Sequence, residues 1–210
     1  TLKKMPKSKS KKEWIKRHVK DEFVRKSSKE GFRSRAAYKL LELQEKSQFI
    51  KKGQIIVDLG AAPGGWLQVA EQILGNDGVI IGLDVLEIAP LVNVNTIKGD
   101  IFNPETLRQL RLILEQKQVD LVISDMAPNI SGISSVDQPK SMFLCELALD
   151  FCRQELKKGG SFVVKVFQGE GFDPFYKELQ ANFRRVNSRK PKASRPRSRE
   201  VYLVAESFLV

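Results

Sequence analysis

The segment Asp58-Leu59-Gly60-Ala61-Ala62-Pro63-Gly64-Gly65-Trp66 directly follows the apolar run Ile55-Ile56-Val57. Its glycines allow the chain to turn sharply and to approach a ligand closely where a buried strand leads into a helix. The spacing G-x-x-x-G-G differs from the G-x-G-x-x-G of dinucleotide-binding folds, and no P-loop Lys-Ser/Thr pair follows it. A pyrophosphate is therefore not the expected ligand of this turn.

Further short apolar runs alternate with helical patterns on both sides of this turn. The predicted strands cover residues 54–59, 79–85, 94–97, 119–125 and 161–166, and the predicted helices cover 13–29, 34–46 (capped by Ser34), 65–74, 104–116, 138–156 and 174–183. Such alternation is typical of a parallel sheet with helices on both faces. Residues 184–190 and 200–205 have no helix between them, which predicts a closing antiparallel pair. The sequence therefore predicts an α/β, Rossmann-like fold with a mostly parallel sheet and a final antiparallel strand.

Basic residues are concentrated near the two ends of the 210-residue chain. Residues 1–35 contain 14 Lys and Arg against 4 Asp and Glu, and residues 184–199 contain 8 against none, which leaves the middle mildly acidic. A solvated tail is an equally good explanation for residues 1–12. Two basic segments around an acidic body are better explained by a polyanion that lies across both, and nucleic acid is the leading partner. We expect a basic arm and helix over 1–33 and one further domain over 34–210.

Composition excludes several other classes of protein. No apolar run is long enough to span a bilayer, and the N-terminal residues lack the apolar core of a secretory signal. The lysine excess fits a mitochondrial presequence poorly, so we expect a cytoplasmic protein that binds no membrane. We also expect it to be a monomer. The single histidine, His18, and the two cysteines, Cys145 and Cys152, cannot supply a zinc site. The cysteines are expected to be reduced core thiols.

Acidic residues stand at the ends of four successive predicted strands: Asp58, Asp84, Asp100 and Asp125. The carboxyl ends of parallel strands meet at one edge of the sheet, where such folds bind ligands. Any one of these aspartates could instead cap a helix. Four together favour a ligand rich in hydroxyl, amine or cationic groups, and S-adenosylmethionine has such groups and no phosphate. Asp84 also follows Gly60 at about the spacing of an acid that accepts ribose hydroxyls.

Lys165 interrupts the apolar strand Phe162-Val163-Val164-Lys165-Val166-Phe167. A buried lysine is rare unless it is paired, although a lysine at a strand edge can extend its amine to solvent. Asp125, which opens Asp125-Met126-Ala127-Pro128-Asn129, is the nearest candidate partner at the same edge of the sheet. Glu200 opens the last predicted strand directly after a basic loop. Trp66 and Tyr38 are equally compatible with ordinary core packing.

Four motifs together resemble the FtsJ-type ribose 2′-O-methyltransferases, and within them the bacterial enzymes of large-subunit ribosomal RNA. The motifs are Asp-Leu-Gly-Ala-Ala-Pro-Gly-Gly-Trp at 58–66, Ser-Asp-Met-Ala-Pro-Asn at 124–129, Val-Lys-Val-Phe-Gln-Gly at 164–169 and Ser-Arg-Glu at 198–200. The likeness extends from residue 14 to residue 205. It implies a Rossmann-like methyltransferase sheet and S-adenosylmethionine as the cofactor.

The resemblance also implies particular site residues. A catalytic Lys-Asp-Lys-Glu tetrad falls on Lys39, Asp125, Lys165 and Glu200, and cofactor contacts fall on Gly64, Trp66, Asp84, Asp100 and Asp125. Lys165 is expected to accept the proton of a ribose hydroxyl. It needs desolvation or a neighbouring cation such as Lys39 to be neutral, and Asp125 is expected to orient it. Glu200 is expected to orient Lys39 or the ribose.

The expected activity is S-adenosylmethionine-dependent 2′-O-methylation of a uridine in the A-loop of 23S ribosomal RNA, with the large ribosomal subunit as the expected context. Arg33, Arg35, Arg195, Arg197 and Arg199 lie close in sequence to the tetrad and are predicted to contact RNA phosphates. The alternatives are a methyltransferase of tRNA or of an mRNA cap, a base methyltransferase, and a non-catalytic RNA-binding factor of ribosome assembly. No metal site is expected.

Overall fold

The computed structural model describes residues 21–129 and 131–210, which form seven strands and six helices. The strands are β1 (Ile55–Leu59), β2 (Val79–Asp84), β3 (Val94–Lys98), β4 (Val119–Ser124), β5 (Leu156–Phe167), β6 (Phe183–Arg189) and β7 (Glu200–Phe208). The helices are α1 (Glu22–Glu30), α2 (Ala36–Ser47), α3 (Gly65–Leu74), α4 (Pro104–Leu114), α5 (Ser134–Glu155) and α6 (Phe172–Asn182).

All seven strands belong to one sheet, in the order β3-β2-β1-β4-β5-β7-β6. The pairs among β1 to β5 are parallel, whereas β7 runs antiparallel to both of its neighbours, β5 and β6. The predicted fold class is confirmed. The final strand does not add to the outside of the sheet but inserts between β5 and β6, so the closing antiparallel pair is formed as predicted.

The sheet is buried on both faces because its strands are apolar throughout. Val57 and Leu59 of β1 face a cluster that is completed by α4, α5 and α6, whereas Ile56 faces a second cluster that is completed by α2 and α3. Alternation along β5 assigns Val164 and Val166 to the first cluster and Val163 to the second. Lys165 therefore points toward the face that α2 covers.

The element boundaries differ from the predictions in a few places. Helix α5 begins at Ser134, one turn earlier than predicted, and includes Pro139 near its start. Strand β5 begins at Leu156, five residues before the predicted start, because its first residues continue from α5 and a register shift separates them from the rest of the β4 pairing. Ser34 does not cap α2: the cap is Arg35, without a side-chain hydrogen bond, and Ser34 packs against Gly65 instead.

Helix α1 packs on the outside of α2. The rings of Phe23 and Phe32 each lie 5.5 Å from the ring of Tyr38, and the Tyr38 hydroxyl donates to Glu30 at 2.8 Å. The predicted helix over 13–29 lies partly outside the described residues. His18 and the lysine-rich segment 1–12 lie entirely outside them. The division at residue 33 stays a prediction. In the described part of the chain, no helix combines the length and the apolar character that crossing a membrane requires.

Candidate active site

The glycine turn between β1 and α3 lies directly against the ends of two neighbouring strands. The backbone N–H groups of Gly60 and Ala61 donate to the Leu83 carbonyl at 2.9 and 3.2 Å. Gly60 has φ +75°, and a Cβ there would overlap the side chain of Met126. A side chain at position 60 is therefore excluded both by backbone conformation and by space. Because the turn packs closely against Leu83 and Met126, space for a ligand remains beyond the carboxyl ends of the strands.

A cavity of about 890 Å³ opens above this turn, at the carboxyl ends of β1, β2 and β4. Its walls include backbone of the turn, three carboxylates and a set of apolar side chains: Gly60, Ala62, Asp84, Asp100, Asp125, Phe102, Phe143, Leu144 and Leu147. The Phe102 and Phe143 rings stack at the wall with centroids 5.6 Å apart. The size and the mixture of apolar walls with a few polar groups are typical of a small-molecule site.

Two of the cavity carboxylates are held in place by backbone N–H groups. Asp84 accepts from Ala62 at 2.9 Å through one oxygen and from Leu86 at 2.8 Å through the other. Asp100 accepts from Phe102 at 3.0 Å. Each carboxylate oxygen can accept more than one hydrogen bond, so both groups can still bind hydroxyls or amines. These hydrogen-bond acceptors suit S-adenosylmethionine, because the carboxylates would face its hydroxyl and amine groups while apolar side chains would enclose its adenine.

Asp58 does not line this cavity, which corrects the expectation that four acids converge on the ligand. It pairs with Gly82 of β2 and Ile123 of β4, so it lies two residues deeper in the sheet than Asp84 and Asp125. Its side chain is 1% exposed. Burial, reinforced by the negative charges of Asp125 and Asp84, raises the pKa of Asp58 well above its usual value.

Gly64 and Trp66 also lie outside the walls of the cavity. Trp66 is buried, its indole N–H donates to the Ala36 carbonyl at 2.8 Å, and its ring lies 5.8 Å from that of Tyr202. This side chain therefore packs in the core and joins α3 to the start of α2. Gly64 is the cap of α3, with φ +106°. Contacts of these two residues with a cofactor stay a prediction.

The structure brings the side chains of Lys39, Asp125, Lys165 and Glu200 together beside the cavity. Each comes from a different element: α2, the residue after β4, β5 and the first residue of β7. Lys165 Nζ lies 3.0 Å from Asp125 Oδ1 and donates to the Asp125 backbone oxygen at 2.6 Å. Lys39 Nζ lies 3.0 Å from Glu200 Oε1 and 3.9 Å from Asp125 Oδ1. Asp125 thus touches both lysines.

The cluster is shielded from solvent and balanced in charge. Lys39, Lys165 and Glu200 are 8%, 6% and 8% exposed. Burial alone would raise the pKa of Asp125, but Lys165, Lys39 and a hydrogen bond from Tyr202 together lower it below its usual value. Asp125 is therefore ionised at neutral pH. The two lysine amines each lie beside a carboxylate, so each buried acid has a basic partner.

Tyr202 belongs to this cluster and was missed from the sequence. Its hydroxyl donates to Asp125 Oδ1 at 2.7 Å, and Lys39 Nζ lies 5.5 Å from the centre of its ring. Tyr202 pairs with Lys165 across the antiparallel β5–β7 ladder. Burial raises the pKa of Tyr202 well above its usual value, as does the charge of Asp125, so the hydroxyl is a fixed donor. Period-two alternation from Glu200 was the signal that could have found it.

Two of the five predicted RNA-contact arginines, Arg33 and Arg35, are only partly exposed and bond to backbone carbonyls of the protein. The Arg33 guanidinium donates to the carbonyls of Pro63, Ala89 and Pro90, at 3.3, 2.6 and 2.8 Å. The Arg35 guanidinium pairs with Asp21 and donates to the Ala193 carbonyl. Both side chains therefore have structural partners that the sequence pattern did not predict.

The other three arginines are exposed and lie on the segment that leads into β7. Arg195 lies 3.6 Å from Asp21, and the Arg199 guanidinium donates to the Ser134 hydroxyl at 3.2 Å. Arg197 is also exposed, which is compatible with contact to RNA. RNA contact by any of the five arginines stays a prediction.

Cys145 and Cys152 are free and buried in α5, as predicted, and burial raises the pKa of the Cys145 thiol to about 12. Neither can serve as a nucleophile at neutral pH. In residues 21–129 and 131–210, no three His, Cys, Asp or Glu side chains form a group that could hold a metal ion.

Comparisons with known proteins identify the family of this chain. Residues 32–208 match the family described as FtsJ-like methyltransferase. The chain is 54% identical over 201 residues to ribosomal RNA large subunit methyltransferase E of Chromohalobacter salexigens, covering 96% of each chain. It is 51% identical over 204 residues to the protein of the same name from Stutzerimonas stutzeri, covering 97% of this chain and 99% of the relative.

A solved structure shows the same fold. The crystal structure of a ribosomal RNA methyltransferase from Plasmodium falciparum superimposes with a TM-score of 0.77 and 36% identity, covering 85% of this chain and 99% of the other. The family match spans most of the chain, and the relatives align with nearly all of it. The protein therefore belongs to the FtsJ-like methyltransferase family.

Proposed function

We propose that this protein transfers a methyl group from S-adenosylmethionine to the 2′-hydroxyl of a uridine in the A-loop of 23S ribosomal RNA. The observation that carries the proposal is the position of Asp125. This residue lines the cavity at the carboxyl ends of β1, β2 and β4 and is also the carboxylate that lies beside Lys39 and Lys165. A substrate that contacts Lys165 would therefore lie next to a cofactor bound in this cavity, with only Asp125 between the two sites.

Lys165 is the proposed proton acceptor. Its tetrahedral nitrogen uses two positions for the backbone and side-chain oxygens of Asp125. In the neutral amine these are the two N–H groups, so the lone pair occupies the remaining side. A ribose hydroxyl within hydrogen-bond reach of that side transfers its proton to Lys165 Nζ as its oxygen becomes nucleophilic.

Asp125 has two effects that oppose each other. Its negative charge stabilises a protonated Lys165, which disfavours the neutral amine before reaction and favours the ammonium after it. The Asp125 carboxylate also lies near Lys39 and accepts the hydrogen bond of the Tyr202 hydroxyl, so Lys165 is not its exclusive partner. The proposed role of Asp125 is therefore to orient Lys165 and to stabilise the product ammonium.

Lys39 and Glu200 form the other half of the cluster. Glu200 holds the Lys39 ammonium at 3.0 Å, which fixes its position beside Asp125. The proposed roles are that Lys39 weakens the hold of Asp125 on a protonated Lys165, and that Glu200 orients Lys39. Both depend on a fixed geometry, and precise positioning can contribute up to about 7–11 kcal/mol to a displacement reaction.

S-adenosylmethionine, when bound, supplies a methyl group on a positively charged sulfur. Asp84 and Asp100 are the residues that would hold its hydroxyl and amine groups, and Phe102 and Phe143 would enclose its adenine. Gly60 excludes side-chain bulk from the floor of the cavity. The apolar walls would keep water away from the reacting atoms.

The RNA substrate is inferred from charge and from the names of the relatives. Exposed arginines at 195, 197 and 199 precede Glu200 directly, so a phosphate backbone bound there would lie next to the catalytic cluster. The relatives from Chromohalobacter and Stutzerimonas are named as methyltransferases of the large ribosomal subunit RNA. A ribose methyltransferase needs to recognise a single nucleotide, which RNA offers most readily in a loop.

Base methylation is the less favoured chemistry. A carbon-5 enzyme needs a reactive cysteine at a strand end, whereas Cys145 and Cys152 are buried in α5. An amino-group methylase would need a second proline and an aromatic residue after Asp125, where the sequence continues Met126-Ala127-Pro128. A proton acceptor beside the cavity suits a hydroxyl, which has to lose its proton as it reacts.

The test is to incubate the purified protein with methyl-labelled S-adenosylmethionine and large ribosomal subunits, and to map the label. A 2′-O-methyl group makes the adjacent phosphodiester resistant to alkaline hydrolysis, so we expect one protected position in the A-loop. Free 23S RNA and tRNA serve as comparison substrates. A label on a base, a preference for tRNA, or cofactor binding without transfer would each overturn the proposal.

A further inference from the structure

A ten-residue segment, 190–199, connects β6 to β7 and is called the basic loop below. Its residues divide into two sets. Pro191, Ala193 and Ser194 are buried, whereas the basic residues Lys190, Lys192, Arg195, Arg197 and Arg199 are exposed. One side of the loop therefore packs on the protein while the other presents five positive charges to solvent. Whatever fixes the buried side also fixes the arrangement of those charges.

The buried side is held by the side chain of Glu42, which lies on α2. One carboxylate oxygen accepts the backbone N–H of Lys192 at 2.6 Å, and the other accepts the N–H of Ala193 at 2.8 Å. Hydrogen bonds to an ionised acceptor are stronger than those between neutral groups. A single carboxylate thus binds two successive amides of a segment about 150 positions away in the chain.

Lys39 of the same helix and Arg35, the N-cap of that helix, also contact the basic loop or the residue that follows it. Arg35 precedes Lys39 by one turn, and Glu42 follows it by about one turn, so the three share a face of α2. Arg35 donates to the Ala193 carbonyl, and Lys39 pairs with Glu200, the residue that follows the loop. The same helical face therefore holds both the loop and a member of the catalytic cluster.

We propose that Glu42 is a positioning residue that fixes the exposed arginines of the basic loop in the arrangement that binds the RNA backbone beside Glu200. The proposal rests on the RNA substrate proposed above. In this proposal the acidic residue Glu42 favours binding of a polyanion. It does so by holding the backbone of the basic loop, not through its own negative charge.

This role predicts the opposite sign from simple electrostatics. Removal of one carboxylate makes a basic protein more basic, and charge alone would then strengthen its attraction to RNA. If Glu42 holds the loop, its removal weakens RNA binding. The loop would then adopt many conformations, and ordering the arginines for binding would cost conformational entropy. The sign of the change separates the two explanations.

Three variants provide the test. Glu42→Gln removes the charge and places an amide NH₂ against one of the loop amides. Glu42→Asp keeps the charge but shortens the side chain, so the net charge of the protein cannot explain its effect. Glu45→Gln removes a charge from an exposed position on the same helix and is the matched control.

The first measurement is hydrogen exchange at the backbone amides of Lys192 and Ala193, in the full-length protein without RNA. Loss of a charge-assisted bond should increase exchange at both amides by about 10-fold in the two Glu42 variants and leave it unchanged in Glu45→Gln. Exchange of amides in the sheet reports whether each variant is folded. Unchanged exchange at 192 and 193 in a folded Glu42 variant would overturn the proposal.

The second measurement is the affinity for large-subunit RNA at fixed salt. We expect the dissociation constant to rise about 10-fold for both Glu42 variants and to stay the same or fall for Glu45→Gln. Cofactor affinity should not change. Tighter RNA binding by Glu42→Gln, or an unchanged constant for Glu42→Asp, would overturn the proposal. If the unmodified protein does not methylate this RNA, the proposed function fails, and the exchange result still decides whether Glu42 holds the loop.

Discussion

Lys165 contacts Asp125 at two points, because its Nζ lies 2.6 Å from the backbone oxygen and 3.0 Å from Oδ1 of the same residue. The backbone contact fixes the amine relative to the end of β4, and the carboxylate contact fixes its rotation. A lysine side chain ordinarily has many rotamers, and a large part of that freedom is lost here. In the proposed mechanism, this pair would determine where a substrate hydroxyl lies.

Lys165→Ala should lower the rate of methyl transfer at least about 100-fold, because general acid–base groups contribute that much or more. Binding of cofactor and of RNA should change little, since the cavity walls and the basic loop do not include Lys165. Single-turnover transfer and equilibrium binding measure the two effects separately. The matched control is Lys158→Ala, an exposed lysine near the other end of β5. Transfer that survives in Lys165→Ala would show that another group accepts the proton.

Tyr202→Phe should lower kcat about 10-fold, because it removes one hydrogen bond to the ionised Asp125 and leaves the ring in place. The cofactor dissociation constant should not change. Tyr176→Phe is the control, since the Tyr176 hydroxyl also makes a single hydrogen bond, to the Val186 carbonyl at 3.1 Å, but lies away from the cluster. Equal kcat values for the two variants would contradict a role for Tyr202 in holding Asp125.

Asp84→Asn should weaken cofactor binding about 10-fold, as loss of a charged partner in a polar site does. The NH₂ group of the new amide would also face one of the two backbone N–H groups that now donate to Asp84, so that hydrogen bond would be lost. Calorimetric titration with S-adenosylmethionine gives the dissociation constant. Asp77→Asn, at an exposed position near the start of β2, should bind as the unmodified protein does. An unchanged affinity in Asp84→Asn would exclude a direct contact.

Asp58→Asn should stabilise the protein relative to the unmodified chain increasingly as pH rises. The raised pKa of Asp58 keeps its proton in the folded state after the unfolded chain has lost it. Its contribution to stability is therefore complete below the ordinary aspartate pKa of about 4 and is lost as pH rises toward the folded value. The difference in Tm between variant and unmodified protein should grow from about pH 5 to pH 8. A difference that is constant with pH, as expected for the exposed control Asp77→Asn, would contradict a protonated Asp58.

Much of the site followed from the sequence because it depends on local order. Strand ends of a parallel sheet meet at one edge, so motifs that follow β1, β2 and β4 could be placed together before any coordinates were known. The depth of each residue at that edge could not be predicted in the same way. Asp58 and Asp84 both stand near strand ends, but the register puts Asp58 two residues deeper and removes it from the cavity.

Other features depend on contacts between distant parts of the chain. Arg33 and Arg35 belong to a basic segment, which correctly indicates positive charge but not its use. Their partners, the carbonyls of Pro63, Ala89 and Ala193, lie 30 to 158 positions away. Tyr202 has an apolar sequence environment that is typical of a core strand. Alternation from Glu200 indicates its face of β7, and its pairing with Lys165 across the sheet brings its hydroxyl to Asp125.

The reversed direction of β7 has a consequence for how a long substrate reaches the reaction centre. In a strand running with its neighbours, the preceding connection would emerge at the far end of the sheet, some 20 Å away for a strand of six residues. Because β7 runs the opposite way, the connection from β6 arrives at the catalytic edge and delivers Glu200 as its first ordered strand residue. A polymer bound to that connection, as proposed, would lie next to the cluster that contains Lys165.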